Sequence, residues 1–207
     1  MTTKHRPYLF LLLLNLIPLS GLGVITYFHL PPFGLAIYGP YFTLITASFA
    51  VYAWRNGYTL EELGFTGGNQ RRSILISLGV TLAFCLLISS FFVYNPFQHY
   101  RTLQVPTWDW YYVRYVLLFC PFQEVIYRSL VFARLRREGI TGMWPLILLT
   151  AITFSFVHIL FLNAFTLFLT LVIGLVWGYM YYKQKSFWAV ALSHGILGAL
   201  TIAIGLL

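Results

Sequence analysis

Phe119-Cys-Pro121-Phe-Gln123-Glu124-Val-Ile-Tyr-Arg128 lies inside an apolar run from roughly residue 110 to 133, long enough to cross a bilayer. An acid and an arginine at membrane depth are expensive, so by default they mark a working site. Glu124 and Arg128 are four apart, share one helical face and can pair. Gln123 is rotated from them by about 100°. Pro121 removes the N–H that would bond Leu117 and favours a kink. The plain alternative for Glu124 and Arg128 is a buried ion pair that only orients two spans.

Two more polar spots interrupt apolar runs further along: Phe154-Ser-Phe-Val-His158, and His194. Taken singly, each histidine reads as a satisfied core residue. With an acid on a third helix, the three bring polar groups toward one interior where unpaired groups are costly. A simple rise per residue sets Glu124 roughly 15 Å, His194 roughly 10 Å and His158 roughly 22 Å from the inner ends of their helices. Their convergence is therefore an expectation for the fold to test. His5, His29 and His99 fall at span ends and read as interfacial.

The rest of the chain fits a membrane setting. Of 207 residues, 59% are hydrophobic, 19% aromatic and only 9% charged, against about 25% charged in soluble domains. The fold class expected is all-α: a polytopic transmembrane bundle of about seven spans, near 8–30, 33–54, 73–95, 110–133, 143–162, 164–182 and 187–206. Residues 1–207 read as one integral membrane domain, in a prokaryotic cell membrane. The first run follows Lys4 and Arg6 like a signal peptide, yet stays apolar to about Leu30 with no A-x-A site, so it reads as a retained span.

Lysine and arginine placement sets the orientation. Of 13 basic residues, ten fall in segments assigned inside, Arg101 alone outside, and Arg114 and Arg128 within a span. This predicts an inside N-terminus and an outside C-terminus. The net charge of +8 is spread between apolar runs rather than gathered on a polar domain, so no nucleic-acid partner is expected. Cys85 and Cys120 read as reduced buried thiols, and no C-x-x-C or H-E-x-x-H spacing occurs. Thr59-Leu-Glu-Glu62 predicts a capping box opening a short inner-face helix that Gly67-Gly68 ends. The aromatic segment from Pro96 to Tyr112 reads as an interface belt, with a lid as its alternative. Asp109 reads as the cap of the fourth span, and Arg114 as snorkelling outward from it.

The three polar spots together resemble the CPBP family of intramembrane proteases, which includes the type II CAAX prenyl endopeptidases. That family carries E-E-x-x-x-R, F-x-x-x-H and H-x-x-x-N on successive helices. The corresponding stretches are Gln123-Glu124-Val-Ile-Tyr-Arg128, Phe154-Ser-Phe-Val-His158 and His194-Gly-Ile-Leu-Gly198. Gly174-Leu-Val-Trp-Gly178 and Ser186-Phe-Trp188 also look like the family, so the motif-bearing core spans about 110–206.

The resemblance implies an intramembrane endopeptidase that cuts a membrane-tethered peptide or protein within the lipid bilayer. A glutamate at position 123 and His158 would activate water, with Phe154 supporting. His194 and the residue at 198 would hold the oxyanion, and Glu124 and Arg128 would form the supporting pair. No cofactor is expected; the resemblance leaves a metal open. The substrate is either a prenylated C-terminus inside or the tail of a surface protein outside, the second slightly favoured by the aromatic outer segment.

Two positions depart from the family pattern. Gln123 stands where the family has its first Glu, and an amide cannot take a proton from water. Three explanations stay open: an engineered isosteric replacement, use of Glu124 instead, or a protein that binds without cutting. Gly198 replaces the family's Asn and leaves His194 as the motif's oxyanion side chain. The reading from another class is a non-catalytic, immunity-type membrane binding protein built on the same scaffold.

Overall fold

The computed structural model describes residues 10–16, 20, 35–94, 115–161 and 164–203. Its ordered elements are helices, as the all-α reading predicts. Helix α1 covers Leu35–Arg55 and α2 covers Gln70–Tyr94. Helix α3 is composite, with α-helical Cys120–Glu124 and Val131–Arg137 alternating with π-helical Tyr115–Phe119 and Val125–Leu130. Helix α4 is Met143–Val157 and tightens into a 3₁₀ turn at His158–Phe161. Helices α5 and α6 are Ala164–Gln184 and Phe187–Ala203.

Three helical stretches are long and apolar enough to cross a membrane: Gln70–Ser90, Val116–Arg137 and Ala164–Gln184. Met143–Val157 and Phe187–Thr201 are apolar but shorter. Of the predicted first span, only 10–16 and 20 are described, and the aromatic segment 96–112, Asp109, Arg114, His5, His29 and His99 lie outside the described residues.

Helix α3 is the buried axis. Ile126 through Ala133 and Leu135 are all buried, so this stretch of the helix is enclosed on every side, whereas Leu117 and Leu118 at its start are exposed. Helix α2 behaves oppositely. Leu75, Leu82, Leu86 and Leu87 are each 60% or more exposed, an apolar face of the kind suited to lipid. Its other face is a buried stripe of Ser73, Ser77 and Thr81, one per turn, turned toward α6.

Helices α4 and α5 approach very closely. A Cβ on Gly174 would stand 3.2 Å from Ala151 Cα, and one on Gly178 would stand 3.3 Å from Ile147 Cγ2. Gly174 and Gly178 form a small-xxx-small stripe that lets two backbones meet.

Residues 58–69 make a floor beneath the bundle. The predicted capping box is present: Glu62 N–H donates to Thr59 Oγ1 at 3.1 Å, and Thr59 N–H donates to Glu62 Oε2 at 2.8 Å. It closes a tight turn rather than opening a helix, because Gly64, ahead of Gly67, already takes a left-handed φ of 74°. Gly64 passes against Tyr181, whose hydroxyl donates to Leu63 O at 2.8 Å. The backbone of α6 hangs on the same floor through Phe187 N–H to Gly64 O at 2.9 Å. The guanidinium of Arg137 grips it from α3, donating to both Glu62 carboxylate oxygens and to Asn56 O and Gly57 O.

Candidate active site

Glu124 ends an α-helical segment flanked by π-turns, and Pro121 sits at that segment's start. The expected disturbance at Pro121 is thus taken up by wider turns on both sides. Such turns are uncommon and recur at functional sites. They aim Glu124 inward, where it is fully buried. Its Oε1 accepts from Arg128 NH1 at 3.3 Å and from His194 Nδ1 at 2.8 Å. A carboxylate can only accept, so His194 Nδ1 carries the hydrogen and the ring's rotation is fixed. The Glu124–Arg128 pair anticipated from their spacing is present, and it extends to a third residue on another helix.

The arginine is paired on one side and stacked on the other. Arg128 is fully buried, with its Cζ 3.9 Å from the Phe154 ring centroid and 5.5 Å from that of Trp177. Aromatic faces replace water around a charge that one carboxylate only partly satisfies.

Both imidazoles flank the same phenyl ring. Phe154 stands 4.8 Å from His158 and 5.5 Å from His194, centroid to centroid. His158 Nδ1 donates to Phe154 O at 2.9 Å, which makes Nε2 the lone-pair nitrogen of the neutral ring. The two rings line one cleft, partly open to the exterior, with Phe154, Trp177, Leu197 and Gly198 among its walls.

The unequal heights read from helix lengths have a physical explanation. Helix α3 runs on to Arg137, which sets Glu124 roughly 20 Å from its C-terminal end. The start of α6 is buried above the 58–69 floor, with Phe187 at 3% and Ala189 at 0% exposure. Counting residues from that start therefore does not measure from the surface of the bundle.

Gln123 is half-buried, and its Oε1 is shut off from solvent with no hydrogen-bond partner among the described residues. Neither Gln123 nor Glu124 lines the cleft; Glu124 stands behind His194. Gly198 lines the cleft and adds no polar side chain there. Cys85 and Cys120 are free thiols, and Cys120 is a hydrogen-bonding neighbour of the His194 ring. Among the described residues, no three His, Cys, Asp or Glu side chains gather closely enough to hold a metal ion.

Two contributors were not anticipated as site residues. Trp177 packs on His194 with centroids 4.6 Å apart and planes at 31°. Ser193, next to His194, takes the Trp177 indole N–H at 2.8 Å. The Ser73, Ser77, Thr81 stripe in an apolar span was the available signal, since hydroxyls at helical spacing mark a face that meets protein.

The fold and site define an all-helical, membrane-type protein with an acid, an arginine and two imidazoles gathered in its interior. Residues 105–200 match the family described as type II CAAX prenyl endopeptidase Rce1-like, and that stretch is an Rce1-like domain, in keeping with the CPBP motifs. That family is one of endopeptidases. No curated protein and no solved structure matches the chain.

Proposed function

We propose that the chain is an intramembrane endopeptidase of the CPBP type, acting on a membrane-tethered peptide or protein. The observation that carries this reading is the meeting of His158 and His194 at one cleft, with Glu124 of a third helix bonded to His194 from behind. In the reaction, water oxygen attacks the scissile carbonyl carbon while its proton passes to a base. His158 Nε2 is oriented for that by the Phe154 carbonyl, and general base catalysis supplies about 10²–10⁴-fold. The same proton then goes to the leaving amine as the C–N bond breaks.

His194 is the oxyanion group. Glu124 takes its Nδ1–H; with a second proton on Nε2, the ring donates Nε2–H to the developing negative oxygen. One such donor is worth about 10²–10³-fold. Glu124 Oε1 is taken by Arg128 and His194, while its Oε2 is buried with no hydrogen-bond partner among the described residues; the shared oxygen and the place behind His194 favour a supporting role over water activation. That leaves position 123 for the family's first carboxylate. With an amide there, the sequence as it stands is impaired.

Basic residues at the ends of α1, α3 and α5 (Arg55, Arg136, Arg137, Lys183) together with the 58–69 floor support an inside placement of that end.

The test compares three forms in proteoliposomes with membrane-anchored reporter peptides: the present chain, Gln123→Glu, and Gln123→Glu with His158→Ala. The expected result is cleavage by Gln123→Glu about 10²–10⁴-fold above the present chain, abolished by the added His158→Ala. Absence of cleavage by all three forms, for peptides they bind, would overturn the reading in favour of a non-catalytic binding protein. Gln123 and Gly198 are the residues that favour that second reading.

A further inference from the structure

The hydroxyls between α2 and α6 form a chain whose direction follows from counting protons. Thr81 Oγ1 lies 2.7 Å from Ser77 O, which can only accept, so the Thr81 proton goes there. The 2.7 Å contact between Thr81 Oγ1 and Ser193 Oγ must then use the Ser193 proton. Ser193 Oγ in turn accepts the Trp177 indole N–H at 2.8 Å. Every donor is used once: Trp177 N–H to Ser193, Ser193 O–H to Thr81, Thr81 O–H to the Ser77 carbonyl. All four residues are buried. The chain ends on the ring that packs 4.6 Å from His194 and lies 5.8 Å from Phe154.

We infer that Thr81 and Ser193, acting through Trp177, are positioning residues for the His194 imidazole. Part of the site's machinery therefore lies on α2, outside the matched stretch 105–200. An indole held at its nitrogen cannot rotate away from His194, and the imidazole keeps its alignment on Glu124. A neutral hydroxyl chain adds no charge to the interior, so it can fix geometry without disturbing the Glu124–Arg128–His194 balance. The inference rests on the proposed role of His194 for its significance, but its test needs no cleavage.

The full chain, labelled with ¹⁵N-histidine in detergent micelles, is examined by long-range ¹H–¹⁵N correlation, with the His194 signal assigned by its loss in His194→Gln. The readout is exchange of the His194 Nδ1–H with water. The present chain should show a slowly exchanging Nδ1–H bonded to Glu124. Thr81→Val and Ser193→Ala should each speed exchange about five- to tenfold, the scale of one lost hydrogen bond. Thr81→Ser, which keeps the hydroxyl, should restore the slow rate.

Ser77→Ala is the structural control. It removes a second α2–α6 hydrogen bond, from Ser77 Oγ to Ala189 O, and leaves the Ser77 carbonyl in place. It should lower the melting temperature without moving the His194 exchange rate. Unchanged exchange in Thr81→Val and Ser193→Ala, or an equal change in Ser77→Ala, overturns the inference. If Ser193→Ala does not fold, Thr81→Val decides alone, since it leaves Ser193 to satisfy Trp177. Failure of the Gln123→Glu form to cleave, with this pattern intact, counts against the proposed function and not against the relay.

Discussion

Arg128 shows how much of the site a spacing can give and how much it cannot. Its separation from Glu124 announces a pair, and the pair forms at 3.3 Å. The two aromatic faces over its guanidinium come from α4 and α5, and no local pattern in α3 points to them. A planar guanidinium suits such stacking, whereas an ammonium is a compact point charge. Arg128→Lys should therefore keep the charge and still destabilise the fold, by about 1–2 kcal/mol for the lost stacking. In a chain of this size that is a fall of roughly 2–8 °C in melting temperature. An unchanged melting curve in detergent would show that the aromatic faces contribute nothing beyond shape.

At the scale of elements, helices were legible from run length and hydropathy, and their kinds of packing were less so. Gly174-Leu-Val-Trp-Gly178 carries its meaning in the spacing of two glycines, which the closeness of α4 and α5 makes plain. Gly174→Ala should push its new methyl against Ala151 at 3.2 Å from Cα, a backbone atom that cannot swing aside. A cost of about 1–3 kcal/mol is expected from overpacking, read as a lower melting temperature. Because α4 carries His158 and Phe154, the same change should loosen the cleft. An equal or higher melting temperature would mean that the two helices have slack at this level. The π-turns of α3 were not legible: they are a tertiary solution to placing Pro121 and Glu124 in one buried helix. Nor was the floor under α6, which buries the start of that helix.

For the whole molecule, the grip of Arg137 on the 58–69 floor ties α3 to the loop on which α6 and Tyr181 rest. The Arg137 guanidinium, with help from the Thr59 N–H, holds the Glu62 carboxyl down at about 2, from an ordinary value of 4.5. A carboxyl lowered in the folded state stabilises fully above its unfolded pKa and loses that contribution as the pH falls through the folded one. The melting temperature should thus decline between about pH 4.5 and pH 2 more steeply in the present chain than in Glu62→Gln. The two curves should meet near the bottom of that window. Glu62 is partly exposed, so the separation at neutral pH should be small, near the 0–1 kcal/mol of surface pairs. Parallel curves across the whole range would deny the clamp any role in stability. The charge asymmetry that predicts orientation and the composition that predicts a membrane setting were both readable at this scale. The convergence of three helices was readable only as an expectation, because it depends on where each helix begins within the fold.

That convergence is most directly tested by a double-mutant cycle on thermal stability in detergent, using Glu124→Gln, His194→Gln and the two together. Removing one partner of a buried charged pair costs about 3–5 kcal/mol, and residues in direct contact couple by about 0.5–3 kcal/mol. The structure predicts a clear coupling, with the double variant losing much less stability than the sum of the single losses. Strictly additive losses would mean that the carboxylate on α3 and the imidazole on α6 do not meet, and the shared cleft would lose its foundation.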